Sequence, residues 1–358
     1  MTRQANPDVI VVGGGIIGAS IAWLLGREQI RVTVCEAATL GAEASWAGAG
    51  MLVPGSEFEQ PGEWLDFALH SLSLYPEFVQ RLREESDGEI DFSLCGSLEL
   101  AANEEEFERL TARANRQAAL GISSERVLAA DLYSRVPGLT QTLGGAVFYP
   151  REGQVDPRTV CNALRKAFLK CGVELRERTP VVTLYPYADG VDAKLETGEV
   201  ISATVAVVAA GAWSSHLRVY ERLMPATFPV RGHLLGYRLA PASLPHILRF
   251  QHTYVVQRRS GFTIAGASEE DVGFNRTLDP LVVAGLADRA HQLVGGLLPL
   301  EPGEAWVGFR PATPTGVPVI AQLDDVPVWL AYGHYRNGIL LAPATAERIA
   351  GVIRASLR

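Results

Sequence analysis

The sequence predicts an α/β fold in which two domains are interleaved along the chain. Apolar runs typical of buried strands alternate with helical patterns, beginning with a strand, a glycine turn, a helix and a second strand near the N-terminus. At 358 residues and 47% apolar content, the chain is long enough to bury a large core and to form two domains. No low-complexity linker or repeat separates two halves of the sequence. We therefore expect the chain to cross between the domains more than once.

The segment from Asp8 to Glu36 is typical of a dinucleotide-binding unit. The apolar run that begins it, residues 8–12, predicts a buried parallel strand. Gly13, Gly15 and Gly18 then fill the G-x-G-x-x-G spacing as a helix opens. The first glycine permits the tight turn, the second lets the backbone approach a pyrophosphate, and the third lets the helix pack closely on the strand.

Two further features of this unit concern its ligand. The helix begins near Ile16, and its N-terminus offers free N–H groups and the positive end of the helix dipole to a pyrophosphate. Glu36 closes the second strand, where a carboxylate can accept hydrogen bonds from both hydroxyls of a ribose. An acid there disfavours a 2′-phosphate and therefore NADP. These residues alone do not separate a nicotinamide dinucleotide from a flavin dinucleotide.

The composition disfavours several classes of function. A net charge of −8 and a sequence pI near 5.5 argue against nucleic acid or an anionic membrane surface as the main partner. The seven histidines form no H-E-x-x-H or similar cluster, so no metal site is predicted. Cys35, Cys95, Cys161 and Cys171 lack C-x-x-C spacing and fall in predicted strands or helices, so we expect buried thiols in a reducing cytoplasm.

One uncharged run could be mistaken for a membrane span or a signal sequence. The run from Val9 to Gly26 is rich in glycine, begins directly after Asp8, and is preceded by Arg3 as its only basic residue. Each part of it is explained as strand, turn or helix. We therefore expect a soluble, unprocessed chain with no membrane span.

The remaining elements follow from periodicity and turn residues. The small-residue segment 41–51 is too rich in alanine and glycine for a solvated loop, and we expect it to lie against a flat surface. Asn103 is a suitable N-cap, and Asp156-Pro157 a suitable start, for two of the helices. In chain order the pattern predicts helices over 61–86, 103–121, 156–171 and 279–297, a short helix ending near 137 and a closing helix from about 340. Strands are predicted over 173–178, 203–211 and 326–331, a hairpin over 191–200 around residues 196–198, and several strands over 232–267 with a hairpin turn at 260–261.

A second strong signal lies in the block from Gly333 to Pro343. A strand ends there in a glycine loop that presents Arg336 just before a helix begins. That helix start is a second electropositive end, which suits a long cofactor whose far end becomes negative on reduction. This pattern favours a flavin over a nicotinamide.

Short motifs that occur along nearly the whole chain form one recognisable set. They are the first glycine motif, Ala44-Ser45 with Ala49-Gly50-Met51, Thr179-Pro180-Val181, Ala209-Ala210-Gly211-Ala212-Trp213-Ser214, Pro229-Val230-Arg231-Gly232, Gly308-Phe309-Arg310-Pro311 and the block from Gly333 to Ala346. This set resembles the motifs of one known family, the FAD-dependent amine and amino-acid oxidases of the D-amino-acid oxidase type. The resemblance implies a glutathione-reductase-like FAD-binding domain, of the Rossmann type, interleaved with an α+β substrate domain that contains an antiparallel sheet.

The resemblance also implies a division of the chain and a set of cofactor residues. Residues 1–87, 150–222 and 305–358 are expected to form the FAD-binding domain, and residues 88–149 and 223–304 the substrate-binding domain. FAD is expected to bind noncovalently, because no cysteine lies near Gly308 or Arg310. The residues expected to hold it are Gly13, Gly15, Ile16, Ile17, Gly18, Glu36, Ala37, Ala44, Ser45, Ala49, Gly50, Met51, Val181 through its backbone at the adenine, Gly211, and, around the isoalloxazine, His334, Tyr335, Arg336, Asn337, Gly338, Ile339 and Leu340.

Three side chains match the family's substrate site. Arg310 and Arg336 match the arginines near the substrate carboxylate, and Tyr254 matches the tyrosine above the flavin. A guanidinium grips a carboxylate with two parallel hydrogen bonds, which a lysine cannot do. Each residue also has a purely structural alternative: Arg336 as a solvated loop charge, Arg310 as a donor to strand-end carbonyls, and Tyr254 as a packing residue.

The activity implied is oxidative deamination of glycine and other small amines, such as sarcosine and small D-amino acids. Hydride passes from the α-carbon to N5 of FAD, and the products are an imine or 2-oxo acid, ammonia or an amine, and hydrogen peroxide. A role in thiamine thiazole synthesis is implied as well. The expected partners are the small amine substrate and oxygen, and a homo-oligomer is left open.

Other functions stay open on the sequence. The alternatives within the family are an oxidase of sarcosine, proline-like or D-amino acids, or a quinone-linked D-amino-acid dehydrogenase. A flavin-binding module without turnover and an NAD-dependent dehydrogenase are more distant alternatives. Two departures bear on the substrate: Thr315 stands where many relatives have an aspartate, and Glu269 adds a carboxylate beside the expected pocket.

Overall fold

A computed structural model describes residues 6–58, 60–296 and 298–357 of the chain. The helices are α1 (Ile16–Arg27), α2 (Ala44–Ala47), α3 (Pro54–Glu57), α4 (Glu63–Ser86), α5 (Glu104–Ala118), α6 (Ala129–Arg135), α7 (Pro157–Lys170), α8 (Pro280–Val294) and α9 (Gly338–Ser356), with 3-10 helices at Gly211–His216 and Tyr335–Asn337. The strands are β1 (Val9–Val12), β2 (Val32–Cys35), β3 (Met51–Leu52), β4 (Phe92–Ser93), β5 (Ser97–Ala101), β6 (Glu125–Leu128), β7 (Gly145–Tyr149), β8 (Gly153–Val155), β9 (Glu174–Arg176), β10 (Val181–Tyr187), β11 (Gly190–Leu195), β12 (Val200–Ala203), β13 (Val205–Val208), β14 (Arg218–Val219), β15 (Phe228–Arg238), β16 (Ile247–Phe250), β17 (Thr253–Gln257), β18 (Phe262–Gly266), β19 (Glu304–Ala312), β20 (Val319–Gln322) and β21 (Val328–Tyr332).

The apolar runs at the start and middle of the chain form one six-stranded sheet. Its order is β20-β21-β13-β1-β2-β9, parallel except for β20 at the edge. All residues of β1, β2 and β13 are buried, because both faces of the sheet are covered. Val9 and Val11 face a layer formed by α1, α4, α7 and α9, whereas Ile10 and Val12 face the smaller sheet β12-β11-β10-β14. The alternation of side chains along each strand therefore builds two cores, one on each face.

The turn from β1 into α1 has little room for side chains. Gly13 has a φ of +107°, and a Cβ there would lie 2.4 Å from the carbonyl oxygen of Ala209 at the end of β13. A Cβ at Gly18 would lie 2.0 Å from the carbonyl oxygen of Gly13. These contacts let α1 begin directly over the ends of two neighbouring strands.

A second, eight-stranded sheet lies across from the first and is mostly antiparallel. Its order is β19-β15-β18-β17-β16-β5-β7-β6, and the one parallel pair joins β16 to β5. The pair connects two segments that are far apart in sequence, since Leu248 stands opposite Leu98. Leu286 and Leu293 of α8 pack in the core behind this sheet. The segment 41–51, which was expected to lie against a flat surface, contains α2 and ends in β3 of a small sheet β3-β8-β4.

The predicted fold class is confirmed, and the observed elements differ from prediction mainly at their ends. The strand expected over 203–211 is confined to Val205–Val208, because the chain then turns into the 3-10 helix that starts at Gly211. Helix α8 ends at Val294; Leu297, where it was expected to end, lies outside the described residues. Asn103 caps α5 as expected, with its side chain accepting a hydrogen bond from the Glu106 N–H at 2.9 Å.

The expectation of four buried thiols in regular elements is only half right. All four cysteines are free, but Cys35 and Cys161 are buried whereas Cys95 and Cys171 are partly exposed. Cys95 lies in the loop before β5, and Cys171 is the residue after the last turn of α7, so neither has a complete shell of neighbours.

The described residues contain neither a helix that could span a membrane nor a cluster of metal ligands. None of the helices in ranges 6–58, 60–296 and 298–357 combines the length and the apolar character that a bilayer crossing requires. Across the same ranges, no three histidine, cysteine, aspartate or glutamate side chains lie together as ligands for a metal ion. The uncharged run Val9 to Gly26 is divided between β1 and α1.

Candidate active site

A cavity of about 1640 Å³ extends between the six-stranded and the eight-stranded sheet. On one side it is lined by residues that follow the carboxyl ends of β1, β2, β13 and β21. On the other side it is lined by residues of β15, β17 and β19. The carboxyl ends of parallel strands are where open α/β sheets bind their ligands. The fold therefore supplies one long site shared by both sheets.

One end of the cavity has the features of a pyrophosphate site. This end is lined by the first residues of α1 and the turn before it, namely Gly13, Gly15, Ile16 and Ile17. The N-cap of α1 is Gly15, which has no side chain to cap the first N–H groups of the helix. Ser45 faces this helix start, and its Oγ accepts a hydrogen bond from the Ile16 N–H at 2.9 Å. Backbone N–H groups and a hydroxyl at a helix N-terminus suit a phosphate group.

Glu36 lies beside this helix start on the cavity wall. Its two carboxylate oxygens accept hydrogen bonds from the N–H groups of Gly14 at 2.6 Å and Ala38 at 2.8 Å. Burial raises the pKa of Glu36, against the effect of these two hydrogen bonds. A carboxylate has about four acceptor positions, so two remain for the hydroxyls of a ribose. This arrangement fits the predicted role.

Most of the predicted cofactor residues line the same cavity. Gly18 and Leu340 do not: Gly18 packs against the turn before α1, and Leu340 is buried in the core between α9 and its neighbours. The cofactor role of Leu340 stays a prediction, and its side chain packs in the helix layer. The residues found on the wall are Gly13, Gly15, Ile16, Ile17, Glu36, Ala37, Ala44, Ser45, Ala49, Gly50, Met51, Val181, Gly211, His334, Tyr335, Arg336, Asn337, Gly338 and Ile339.

The loop between β21 and α9 brings a second helix start to the cavity. The 3-10 turn Tyr335–Asn337 leads directly into α9 at Gly338. His334 is buried, with Nε2 3.0 Å from the Thr345 Oγ1, and burial lowers the pKa of His334 to about 3. Burial also raises the pKa of Tyr335 to about 12. The loop thus presents a neutral histidine and a protonated tyrosine at neutral pH.

The buried His334 predicts a loss of stability in acid. Its pKa of about 3 in the folded protein lies below the ordinary 6.5, so only the unfolded chain takes up this proton as the pH falls below 6.5. The stability is therefore complete above pH 6.5 and is lost as the pH falls toward 3. Urea unfolding of the FAD-saturated protein between pH 6.5 and 5 is expected to be less pH-dependent in His334→Gln, by about 1 kcal/mol per pH unit on average.

A matched control for this experiment is Thr345→Val. It removes the hydrogen bond to His334 and leaves the titrating group in place. It is expected to lower the free energy of unfolding equally at each pH. Equal pH slopes for the wild type and His334→Gln would contradict the assignment.

The other end of the cavity is a chamber lined by Arg310, Arg336 and Tyr254. One Nη of Arg310 donates hydrogen bonds to the carbonyls of Ser268 at 3.0 Å and Arg231 at 3.5 Å. That nitrogen therefore bonds backbone carbonyls while the side chain also lines the cavity, and a substrate role for Arg310 stays a prediction. A Cβ at Gly232 would lie 2.5 Å from the guanidinium, so Arg310 lies flat on that backbone.

Tyr254 stands on β17 and is partly exposed to the chamber. Its hydroxyl lies against the backbone of Gly266, where a Cβ would be only 2.3 Å away. Burial raises the pKa of Tyr254, so the hydroxyl is a protonated hydrogen-bond donor at neutral pH.

Two chamber residues escaped prediction. Glu57 of α3 lies with Oε2 3.1 Å from the Arg336 Nε and with Oε1 2.7 Å from an Nη of Arg249. Glu57 and Arg249 both line the cavity, but they are 192 residues apart in the chain. Neither residue stands in a motif, so no local signal marks them.

Three further polar residues near the chamber are one buried residue and two cavity-lining residues. His233 is fully buried and hydrogen-bonded to Ser268, Glu270 and the Asp279 N–H, so it is structural. His252 and Glu269 are exposed and line the cavity.

Comparison with known proteins finds one matching family profile and several similar proteins. The family profile described as FAD dependent oxidoreductase, DAO, matches residues 8–351. A glycine oxidase from Bacillus licheniformis is 33% identical over 97% of this chain and 92% of that protein. A protein named Bifunctional protein ThiO/ThiG from Synechocystis sp. is 34% identical over 98% of this chain, which spans only 52% of it.

A solved structure shares the architecture as well. The crystal structure of glycine oxidase from Geobacillus kaustophilus superimposes with a TM-score of 0.93. The two chains are 30% identical, and the match covers 98% of this chain and 95% of the other.

Proposed function

This chain belongs to the FAD-dependent oxidoreductase family of the DAO type, and on that premise we propose that it is an oxidase of glycine and other small amines. One observation carries the proposal: a single cavity joins a dinucleotide-binding end to a chamber with two arginines and a tyrosine. The similarity to proteins named glycine oxidase supports the same class of reaction.

The cofactor of this family is FAD, and the residues of the cavity fit it. The N-terminus of α1 with Ser45 would receive the pyrophosphate, and Glu36 the ribose. The start of α9 would lie at the isoalloxazine. Bound there, FAD would supply an acceptor for the α-hydrogen of the substrate together with two electrons, and oxygen would take up these electrons to form hydrogen peroxide. Noncovalent attachment stays a prediction.

The chamber residues would bind and orient the substrate. Arg336 and Arg310 would grip its carboxylate with charge-assisted hydrogen bonds, which fix the plane of the group. Tyr254 would donate a further hydrogen bond or close the pocket. The neutral amine would remain free, and no general base at the α-carbon is needed for hydride transfer. Positioning of the α-carbon is then the main contribution of the protein.

The order of preference among small amines depends on the shape of the chamber. Glycine and sarcosine differ by one methyl group, which is worth about 1 to 3 kcal/mol in a pocket. Sarcosine, proline-like and D-amino acids therefore remain alternative substrates, and a quinone remains an alternative electron acceptor. Glu269 on the wall adds a charge that affects this choice.

The proposal also includes a biosynthetic role and a cellular location for the reaction. A role in thiamine thiazole synthesis is supported by the similarity to proteins named Bifunctional protein ThiO/ThiG. Four free cysteines are consistent with a cytoplasmic location.

Anaerobic addition of amines to the yellow protein tests this function. We expect glycine to bleach the flavin absorbance rapidly, because its carboxylate and α-hydrogen match the chamber. Sarcosine and D-alanine are the comparison substrates, and acetate, which lacks an amine, is the control. An oxygen electrode then measures whether turnover consumes oxygen without another acceptor. Bleaching by D-alanine but not by glycine would reverse the assignment of substrate, and a colourless protein would overturn it entirely.

A further inference from the structure

Arg336 is half exposed and yet lies within ion-pair distance of a buried carboxylate. Its side chain is 49% exposed, and long arginine side chains lose considerable rotamer entropy when they are fixed. The Nε forms an ion pair with the Glu57 Oε2 at 3.1 Å, although that buried oxygen accepts no aligned hydrogen bond, so the pair acts through charge and favours rotamers that keep the two groups close. It also leaves the two Nη groups of Arg336 for a substrate carboxylate.

Glu57 itself is rigidly placed. Its side chain is 6% exposed, and its other oxygen lies 2.7 Å from an Nη of Arg249, which is 18% exposed. The second Nη of Arg249 bonds the hydroxyl of Ser56, the residue before Glu57. A buried carboxylate between two guanidiniums is compensated in charge, and removal of one partner would leave an unpaired charge.

The short helix that carries Glu57 is fixed by buried polar groups as well. The Gly55 N–H donates to the carboxylate of Glu152 at 2.7 Å. The side-chain amide of Gln117 donates to the carbonyls of Gly55 at 2.6 Å and Phe58 at 3.0 Å. Helix α3 is therefore a firm support on the cavity wall.

We propose that Glu57 is a positioning residue, which with Arg249 behind it orients the Arg336 guanidinium toward the carboxylate of the substrate. The proposal rests on the proposed function, since it assumes that Arg336 binds that carboxylate. Without Glu57 the guanidinium would sample several rotamers, and each substrate molecule would have to order it on binding. Loss of this orientation is therefore expected to weaken binding of the substrate carboxylate and not to slow hydride transfer.

The test compares Glu57→Gln, Arg336→Ala and the double variant in the FAD-loaded enzyme. We expect Glu57→Gln to raise the KM for glycine about tenfold, within the range of coupling between contacting residues, with kcat changed less than about threefold. The Kd of acetate, measured from its effect on the flavin spectrum, should rise by the same factor. In the Arg336→Ala background, Glu57→Gln should add less than about twofold, because the group that it orients is gone.

Glu63→Gln is the matched control. Glu63 lies at the start of α4, is 70% exposed and pairs with Arg348 of α9 at 3.5 Å. The substitution Glu63→Gln removes a glutamate–arginine pair outside the cavity, so KM and the Kd of acetate should stay unchanged. FAD content and melting temperature show whether each variant folds. If Glu57→Gln folds poorly, Glu57→Asp carries the same test, because it keeps the charge that faces Arg249 but shortens the side chain that reaches Arg336.

The outcomes separate this inference from the proposed function. An unchanged or lower KM in Glu57→Gln would overturn the inference, since Glu57 would then only offset the charge of the arginines. An equal effect of Glu57→Gln with and without Arg336 would overturn it too. If Arg336→Ala itself leaves KM unchanged, the carboxylate clamp of the proposed function fails instead.

Discussion

Arg336→Ala is expected to lower kcat/KM for glycine by roughly 10- to 150-fold. The substitution removes charge-assisted hydrogen bonds worth about 1.5 to 3 kcal/mol from the carboxylate of the substrate. Arg336→Lys keeps the charge but loses the planar fork, so we expect its kcat/KM to lie between those of the wild type and the alanine variant. Initial rates of oxygen uptake over a range of glycine concentrations measure both parameters.

A surface arginine on α9, the helix that follows the turn of Arg336, supplies the control for this prediction. Arg348 of α9 pairs with the exposed Glu63 and lies near the ring of Phe67. Arg348→Ala should leave kcat/KM within about twofold of the wild type, as for other surface substitutions. Wild-type kinetics in Arg336→Ala would contradict the assignment of Arg336 to substrate binding.

Gly13→Val is expected to abolish the yellow colour of the purified protein. Its Cβ would meet the carbonyl oxygen of Ala209 at 2.4 Å, and valine does not adopt a φ of +107° without strain. The turn would have to move away from the end of β13, which would shift the start of α1 from the pyrophosphate. We expect the affinity for FAD to fall roughly 100-fold or more, the factor that corresponds to about 3 kcal/mol.

FAD titration of the apoprotein, followed by flavin fluorescence, measures that affinity. Gly351→Ala is the control, because Gly351 lies in α9 with nothing within 4 Å of its added Cβ. This control should bind FAD normally and gain slightly in stability, since alanine favours a helix more than glycine does. A yellow Gly13→Val protein with normal affinity would show that the turn is not required for the cofactor.

The features predicted well from the sequence are those set by nearby residues. The unit from β1 to β2 depends on an apolar run, three glycines and Glu36, all within one short segment. The N-cap at Asn103 likewise depends on residues three positions apart. Local sequence chemistry determines such features, and it can be read without knowledge of the tertiary contacts.

The features that were not predicted depend on contacts between distant residues. Glu57, in α3, pairs with Arg249 of β16 and with Arg336 of the turn before α9. These three elements are far apart in sequence, and only the folded chain brings their charges together. The parallel pairing of β5 with β16 is equally non-local, and no periodicity indicates it. The domain boundaries at 87, 149, 222 and 304 and the roles of the site residues stay predictions.

The order of strands in the six-stranded sheet has a consequence for folding. β1 lies between β2, which is near in sequence, and β13, whose Val205 pairs with Val9. The sheet must therefore close a long loop before its centre is complete, and contacts of such high contact order form slowly. The cavity, which also needs the loop after β21, exists only once these long-range contacts have formed. FAD then binds only the finished fold, and by mass action it would stabilise that fold by about 2.7 kcal/mol at a free concentration of 100 times its Kd. Flavin supply in the cell would thus control how much of this chain persists in the folded form.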